Sequence, residues 1–388
     1  METLVKELIS LTSRNNGLAP VDLEKFWAEN EIACKDPFSK DAPVMACGIV
    51  MEGECVFSEL GVPVDFWKYE TDQEFRLSLN KAYNDKAEKI VGKRLLNENF
   101  IAPDEKYPAV KMLNDFFEAE RLWESGSWWL KESAHSPEEL EALLDRVEER
   151  NINSRKFMLP ENWVEEKQRL IARGIKPPKY SSQRGPVTFA TSVFGIENLI
   201  FLIMDKPELA ARFRDLILKT MISIRTVLDE ESGYTPENSP KGFSFYDDNC
   251  MMLNAEMYEF FAYPIVKTIF EKYAPDSTDW RYQHSDSAMG HHLPLLSKLN
   301  FTQVNFGPTL TVNEIHSFMP KTRVQGQLHP FTFMRDEKKN ILLELLRDFE
   351  QAKERRGVVF ATAGSVSNGS KLETLRLIMA GIQKYCRY

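Results

Sequence analysis

The chain has 388 residues, 43% of them hydrophobic and 28% charged, with a formal net charge of −9. That length and core content suit one large α/β barrel or two domains. The acidic balance is spread along the chain with no basic block, which argues against nucleic acid and anionic membranes as partners.

Five cysteines without a Cys-x-x-Cys pair point to reducing surroundings rather than a disulfide framework. The opening METLVKELISL carries acidic residues and amphipathic spacing, unlike a signal peptide, and no apolar run reaches membrane-spanning length. The expected location is cytoplasmic.

Residues 1–14 keep a helical period, Asn15-Asn16-Gly17 breaks it, and 20–29 resume it. Residues 1–40 therefore read as an N-terminal helical extension, ahead of a single barrel over 41–388. Residues 42–64 read as a strand and a loop carrying Glu52 and Glu54, which are site candidates by position only. Residues 72–97 and 136–155 read as solvated helices, the second opening on a capping box of Ser136 and Glu139.

From residue 185 onward the pattern alternates. Strands are expected at 185–190, 242–246, 280–283, 301–306, 322–326 and 358–362, and helices at 205–231, 255–273, 287–299, 312–318, 337–355 and 371–384. Such alternation implies a parallel sheet, and the strand count suits a (β/α)8 TIM barrel better than the alternative, an open doubly wound sheet.

A barrel gathers the loops that follow its strands into one mouth, where chemistry sits. Those loops are DDNC (247–250), HSD (284–286), NFGP (305–308), QLHP (327–330) and TAGSVSNGS (362–370). The stretch around His284 is the richest, because 280–299 holds three of the six histidines.

His284 and Asp286, two positions apart ahead of a helix, can ligate a metal or exchange a proton; the plainer reading is a strand-end histidine and an N-cap. Asp247 and Asp248 are adjacent strand-end carboxylates, either functional or caps. His329 before Pro330 is a site candidate or a packing residue of a turn. Tyr246, Phe306, Phe331 and Phe333 lie near strand ends and could hold an aromatic ring, although such positions are usually core, and Gln327 is a further substrate-binding candidate.

The run GPVTFATSVFGIENL, then FYDDNCMMLNAEMYEFFAYPIVKTIFEKY, HSDSAMGHHLPLLSKLNFTQVNFGPT and VQGQLHPFTF, resembles the uroporphyrinogen decarboxylase superfamily. The resemblance implies a TIM barrel with its site at the strand C-termini. The arginine-bearing MRQAGR segment of the true decarboxylases, which grips substrate carboxylates, has no counterpart near Glu52 and Glu54. The H-x-C motif of the zinc-dependent thiol methyltransferases is here His284-Ser285-Asp286, and TAGSVSNGS has no cysteine.

What remains resembles the methyltransferase components of corrinoid-dependent aryl methyl ether O-demethylases. That subgroup implies demethylation of a small methyl ether, expected to be phenolic, with the methyl group passing to the corrinoid (cobalamin) cobalt of a separate corrinoid protein. The chain itself lacks the Asp-x-His-x-x-Gly signature of a corrinoid-binding domain.

The subgroup's zinc pattern E-x14-E-x20-H is matched by Glu256, Glu271 and His292. On one continuous helix those glutamates would stand about 22 Å apart, and one metal could bind both only if Pro264 breaks the helix sharply. The metal candidates are Asp248, His284, Asp286 and His329, with Glu256 near its helix start as a further one, for zinc or another divalent ion; without a metal, one of the strand-end acids or histidines is the general acid. The alternative function is a decarboxylase or lyase acting on another small acid.

Overall fold

A computed structural model describes the whole chain, Met1–Tyr388. Nine strands form: β1 (Ala46–Cys47), β2 (Arg121–Glu124), β3 (Ser127–Leu130), β4 (Ser182–Arg184), β5 (Phe243–Tyr246), β6 (Arg281–Ser285), β7 (Gln303–Phe306), β8 (Arg323–Leu328) and β9 (Val358–Thr362). The chain divides into two compact units. One comprises Met1–Phe100, Asp286–Gly290 and Gln303–Tyr388, the other Ile101–Ser285 and His291–Thr302.

In the first unit the parallel neighbours run β1, β9, β8, β7, and in the second β6, β5, β4. Sequential strands lie side by side with helices between them, the βαβ connection that parallel strands require. β9 (VVFAT) is buried along its whole length, as expected of a strand covered on both faces.

The N-terminal helices form at Glu2–Arg14 and Leu23–Lys35. Glu52 and Glu54 precede a short helix, Cys55–Leu60. Ser136 caps the helix Pro137–Ile152 as expected, but the Glu139 carboxylate accepts from the His135 backbone N–H, one residue earlier than a capping box requires.

Three expected elements come out differently. The strand expected at 185–190 is a helix, Pro186–Phe194, while β4 stops at Arg184. Pro186 is pre-set for a first helical turn, and burial of Val187, Phe189, Ala190, Val193 and Phe194 outweighs the β propensity of the segment. The helix expected over 255–273 breaks at Ala262 into Ala255–Phe261 and Tyr263–Tyr273, because Pro264 has no N–H to give the preceding turn. The helix expected over 287–299 is a chain of short turns around Leu293–Leu296, with Pro294 inside.

A further element was not anticipated, the antiparallel hairpin of β2 and β3. Its turn, Ser125-Gly126, has φ of 51° and 82°. Positive φ at both central residues is the two-residue turn that suits the strand twist. Ser-Gly between aromatic-rich runs was the available signal.

Candidate metal centre

The site begins with the register of β5 on β6. Tyr246 pairs with His284, and the Asp247 N–H donates to the His284 carbonyl at 2.9 Å. The pair thus continues one residue past β5 and carries Asp248 alongside the imidazole. His284 lies on the strand itself, which runs to Ser285, and Asp286 is the first residue beyond it.

His284 Nε2 stands 3.5 Å from Asp248 Oδ1. Two atoms bound to one zinc at ~2.1 Å in tetrahedral geometry are about 3.4 Å apart. The Asp248–His284 separation already matches that spacing. Asp248 and His284 are each partly exposed, so the pair is open to a ligand.

Each ligand candidate is held by its surroundings. The loop carrying Asp248 is tied by two histidines: His291 Nε2 meets the Leu253 carbonyl at 2.9 Å, and His292 Nε2 meets the Cys250 carbonyl at 2.8 Å. A carbonyl only accepts, so Nε2 carries the proton in both rings. Burial pushes the His292 pKa down to about 4, and the ring stays neutral. Asp286 is packed by glycines: a Cβ at Gly307 would fall 2.5 Å from the Asp286 carbonyl oxygen, and one at Gly364 would fall 3.2 Å from Asp286 Oδ2 and 3.0 Å from Pro330 Cγ. The ends of β7, β8 and β9 thus meet around Asp286.

Asp247 faces the other way and is fully buried. It lies against the backbone of Gly185, where a Cβ would come within 2.1 Å of its own Cβ, and Oδ1 accepts from the Thr188 N–H at 2.8 Å. Oδ2 has no hydrogen-bond partner. Burial pushes its pKa up to about 7, against the lowering effect of the Thr188 hydrogen bonds. It anchors the site and cannot touch a ligand.

The other expected site residues are placed apart from the pair. Glu256 is exposed in the first turn of Ala255–Phe261, under the Asn254 cap, and is no part of it. Glu271 is exposed beside Lys267, at 3.8 Å, and His292 is committed to Cys250, so the spacing E-x14-E-x20-H does not describe a site here.

His329 caps the helix Pro330–Met334, its Nδ1 accepting from the Phe331 N–H at 3.2 Å. Gln327 is fully buried, and its amide N–H groups hold the carbonyls of Gly307 and Leu310. Phe306 is fully buried core. Both are shut off from any ligand, whereas Tyr246 is 43% exposed with its ring centroid 6.1 Å from that of His284. Sequence reasoning overlooked the helix Pro186–Phe194 as the floor beneath Asp247, because that segment reads as a strand.

Parallel strands alternating with helices, with the Asp248–His284 pair at the C-terminal ends of β5 and β6, define an α/β protein with a candidate divalent-cation site. The uroporphyrinogen decarboxylase (URO-D) family matches residues 169–385, more than half of the chain, and the protein belongs to that family. Among solved structures it is similar to a methyltransferase from Methanosarcina mazei, with a TM-score of 0.55, 13% sequence identity and 97% of each chain covered. That likeness is one of fold. No curated protein sequence matches the chain. No single helix is long and apolar enough to cross a membrane.

Proposed function

We propose that this protein is a methyltransferase that removes the methyl group from a small phenolic methyl ether and passes it to the corrinoid cobalt of a separate protein. The observation that supports this reading is the Asp248–His284 pair at the ends of β5 and β6, a cysteine-free pair of ligand side chains in a chain of the URO-D family. The structural likeness to a methyltransferase supports it further.

Demethylation of an aryl ether is a displacement at carbon in which a phenolate leaves. A phenolate leaves slowly unless its oxygen receives a proton or a Lewis acid. A carboxylate and an imidazole suit zinc or another divalent ion, which when bound would supply Lewis acidity to the ether oxygen. Asp248 and His284 would hold such an ion, the carboxylate offsetting part of its charge. If no metal binds, His284, 3.5 Å from Asp248 Oδ1, is the group placed to deliver a proton.

The test is incubation of the purified protein with a reduced corrinoid protein and a panel of guaiacol-type ethers. Appearance of the methylcobalamin spectrum supports the reading, and its absence across a broad panel refutes it. The family's decarboxylase members favour a second reading, a decarboxylase or lyase on a small acid. Release of carbon dioxide without a methylated corrinoid would select that one.

A further inference from the structure

Next to the Asp248–His284 pair lies a cavity of about 290 Å³ between the β2–β3 hairpin and the ends of β4 and β5. Two guanidiniums, Arg121 at the start of β2 and Arg184 at the end of β4, line it, together with Trp128, Trp129 and Tyr246. The volume is close to the lower bound of small-ligand pockets, about 300 Å³.

The two arginines are held without a counter-ion. Arg184 is half-buried and spends one N–H group on the Trp128 carbonyl, at 2.9 Å, but neither it nor Arg121 has a carboxylate at salt-bridge distance. Desolvation and then the like charge of Arg121 push the Arg184 pKa down, with Asp248 pulling the other way. Paired guanidiniums in a partly dry cavity lack an anion, and their fork geometry matches a carboxylate.

The rest of the wall is aromatic. Trp129 and Tyr246 are about half exposed, with Trp128 somewhat less so, large flat surfaces that a soluble protein seldom leaves open without use. Tyr246 belongs to both places: it is in register with Arg184 on one side and with His284 on the other.

We infer that this cavity binds the carboxylate and ring of an aromatic acid, so that the methyl donor is a methoxylated arenecarboxylate. Its carboxylate bridges Arg121 and Arg184, its ring lies among Trp128, Trp129 and Tyr246, and its ether end points past Tyr246 toward Asp248 and His284. This assignment of the substrate class rests on the methyltransferase reading, but the pocket is testable without any methyl transfer.

The probe is benzoate, titrated into the purified full-length chain by calorimetry and tryptophan fluorescence, with benzamide and inorganic phosphate as controls. Benzoate is expected to quench fluorescence and to bind at least tenfold more tightly than benzamide, with phosphate failing to displace it. Arg121→Gln removes an exposed side chain with no ion pair, so it should fold normally by circular dichroism; it is expected to weaken benzoate about tenfold and leave benzamide unchanged.

Equal binding of benzoate and benzamide, displacement by phosphate alone, no benzoate binding, or indifference to Arg121→Gln would each overturn the proposal. The two ideas fail separately. Benzoate binding with no corrinoid methylation by any ether sinks the methyltransferase reading and leaves the anion pocket standing. Methyl transfer from neutral ethers with no benzoate binding does the reverse.

Discussion

Asp247→Asn offers a sharp test of the site's foundation, because one carboxyl group is exchanged for a near-isosteric amide. Burial pushes the Asp247 carboxyl up to about 7 in the folded protein, against 3.8 for an ordinary aspartate. The folded state therefore holds the proton more tightly than the unfolded chain. Stability from this group is full below pH 3.8 and falls as pH rises toward 7, above which it is level.

The full span is roughly 4 kcal/mol at about 1.4 kcal/mol per pH unit, and between pH 5 and pH 7 about 2–3 kcal/mol of it is lost. Asparagine keeps the acceptor for the Thr188 N–H and carries no charge. The assay is urea unfolding of both proteins from pH 5 to pH 8 with a chelator present, taking the difference at each pH so that other titrating groups cancel. His292 and Asp348 also shift, in opposite senses, and drop out this way. The variant should exceed the wild type by about 1–2 kcal/mol at pH 5 and by roughly 4 kcal/mol at pH 8. A difference that does not change with pH would refute the burial argument.

Other outcomes follow from the same geometry. Gly185→Ala forces a Cβ to 2.1 Å from that of Asp247 and should cost about 1–3 kcal/mol in denaturant unfolding; unchanged stability would mean that Asp247 can move away. In calorimetric titration with zinc, the wild type should bind one equivalent and His284→Ala should lose at least a hundredfold in affinity, while Glu256→Gln binds like the wild type. Equal zinc affinity of His284→Ala and wild type would remove the pair as a metal centre. His329→Ala removes the cap on the Phe331 N–H and should lower stability by about 1 kcal/mol, with zinc affinity intact; lost zinc affinity would place His329 in the site after all.

The sequence by itself determined the alternation of strand and helix in the second half, the strand at Val358–Thr362, and the loops in which chemistry would lie. It did so because hydrophobic period and turn residues are local signals. It also singled out Asp248, His284 and Asp286, since short polar runs after apolar strands stand out. Only the tertiary structure decided which candidates meet.

The β5–β6 register puts Asp248 beside His284, whereas Gln327, Phe306 and Glu256, equally plausible by position, turn to loop tie, core and solvent respectively. Spacing along the chain could not choose between them, because register and facing are settled by side chains packing from distant segments. The same holds for 185–190, where buried contacts turned strand-like residues into a helix. Arg121 and Arg184, 63 positions apart in sequence (184 − 121), share a cavity only because a hairpin folds beside β4.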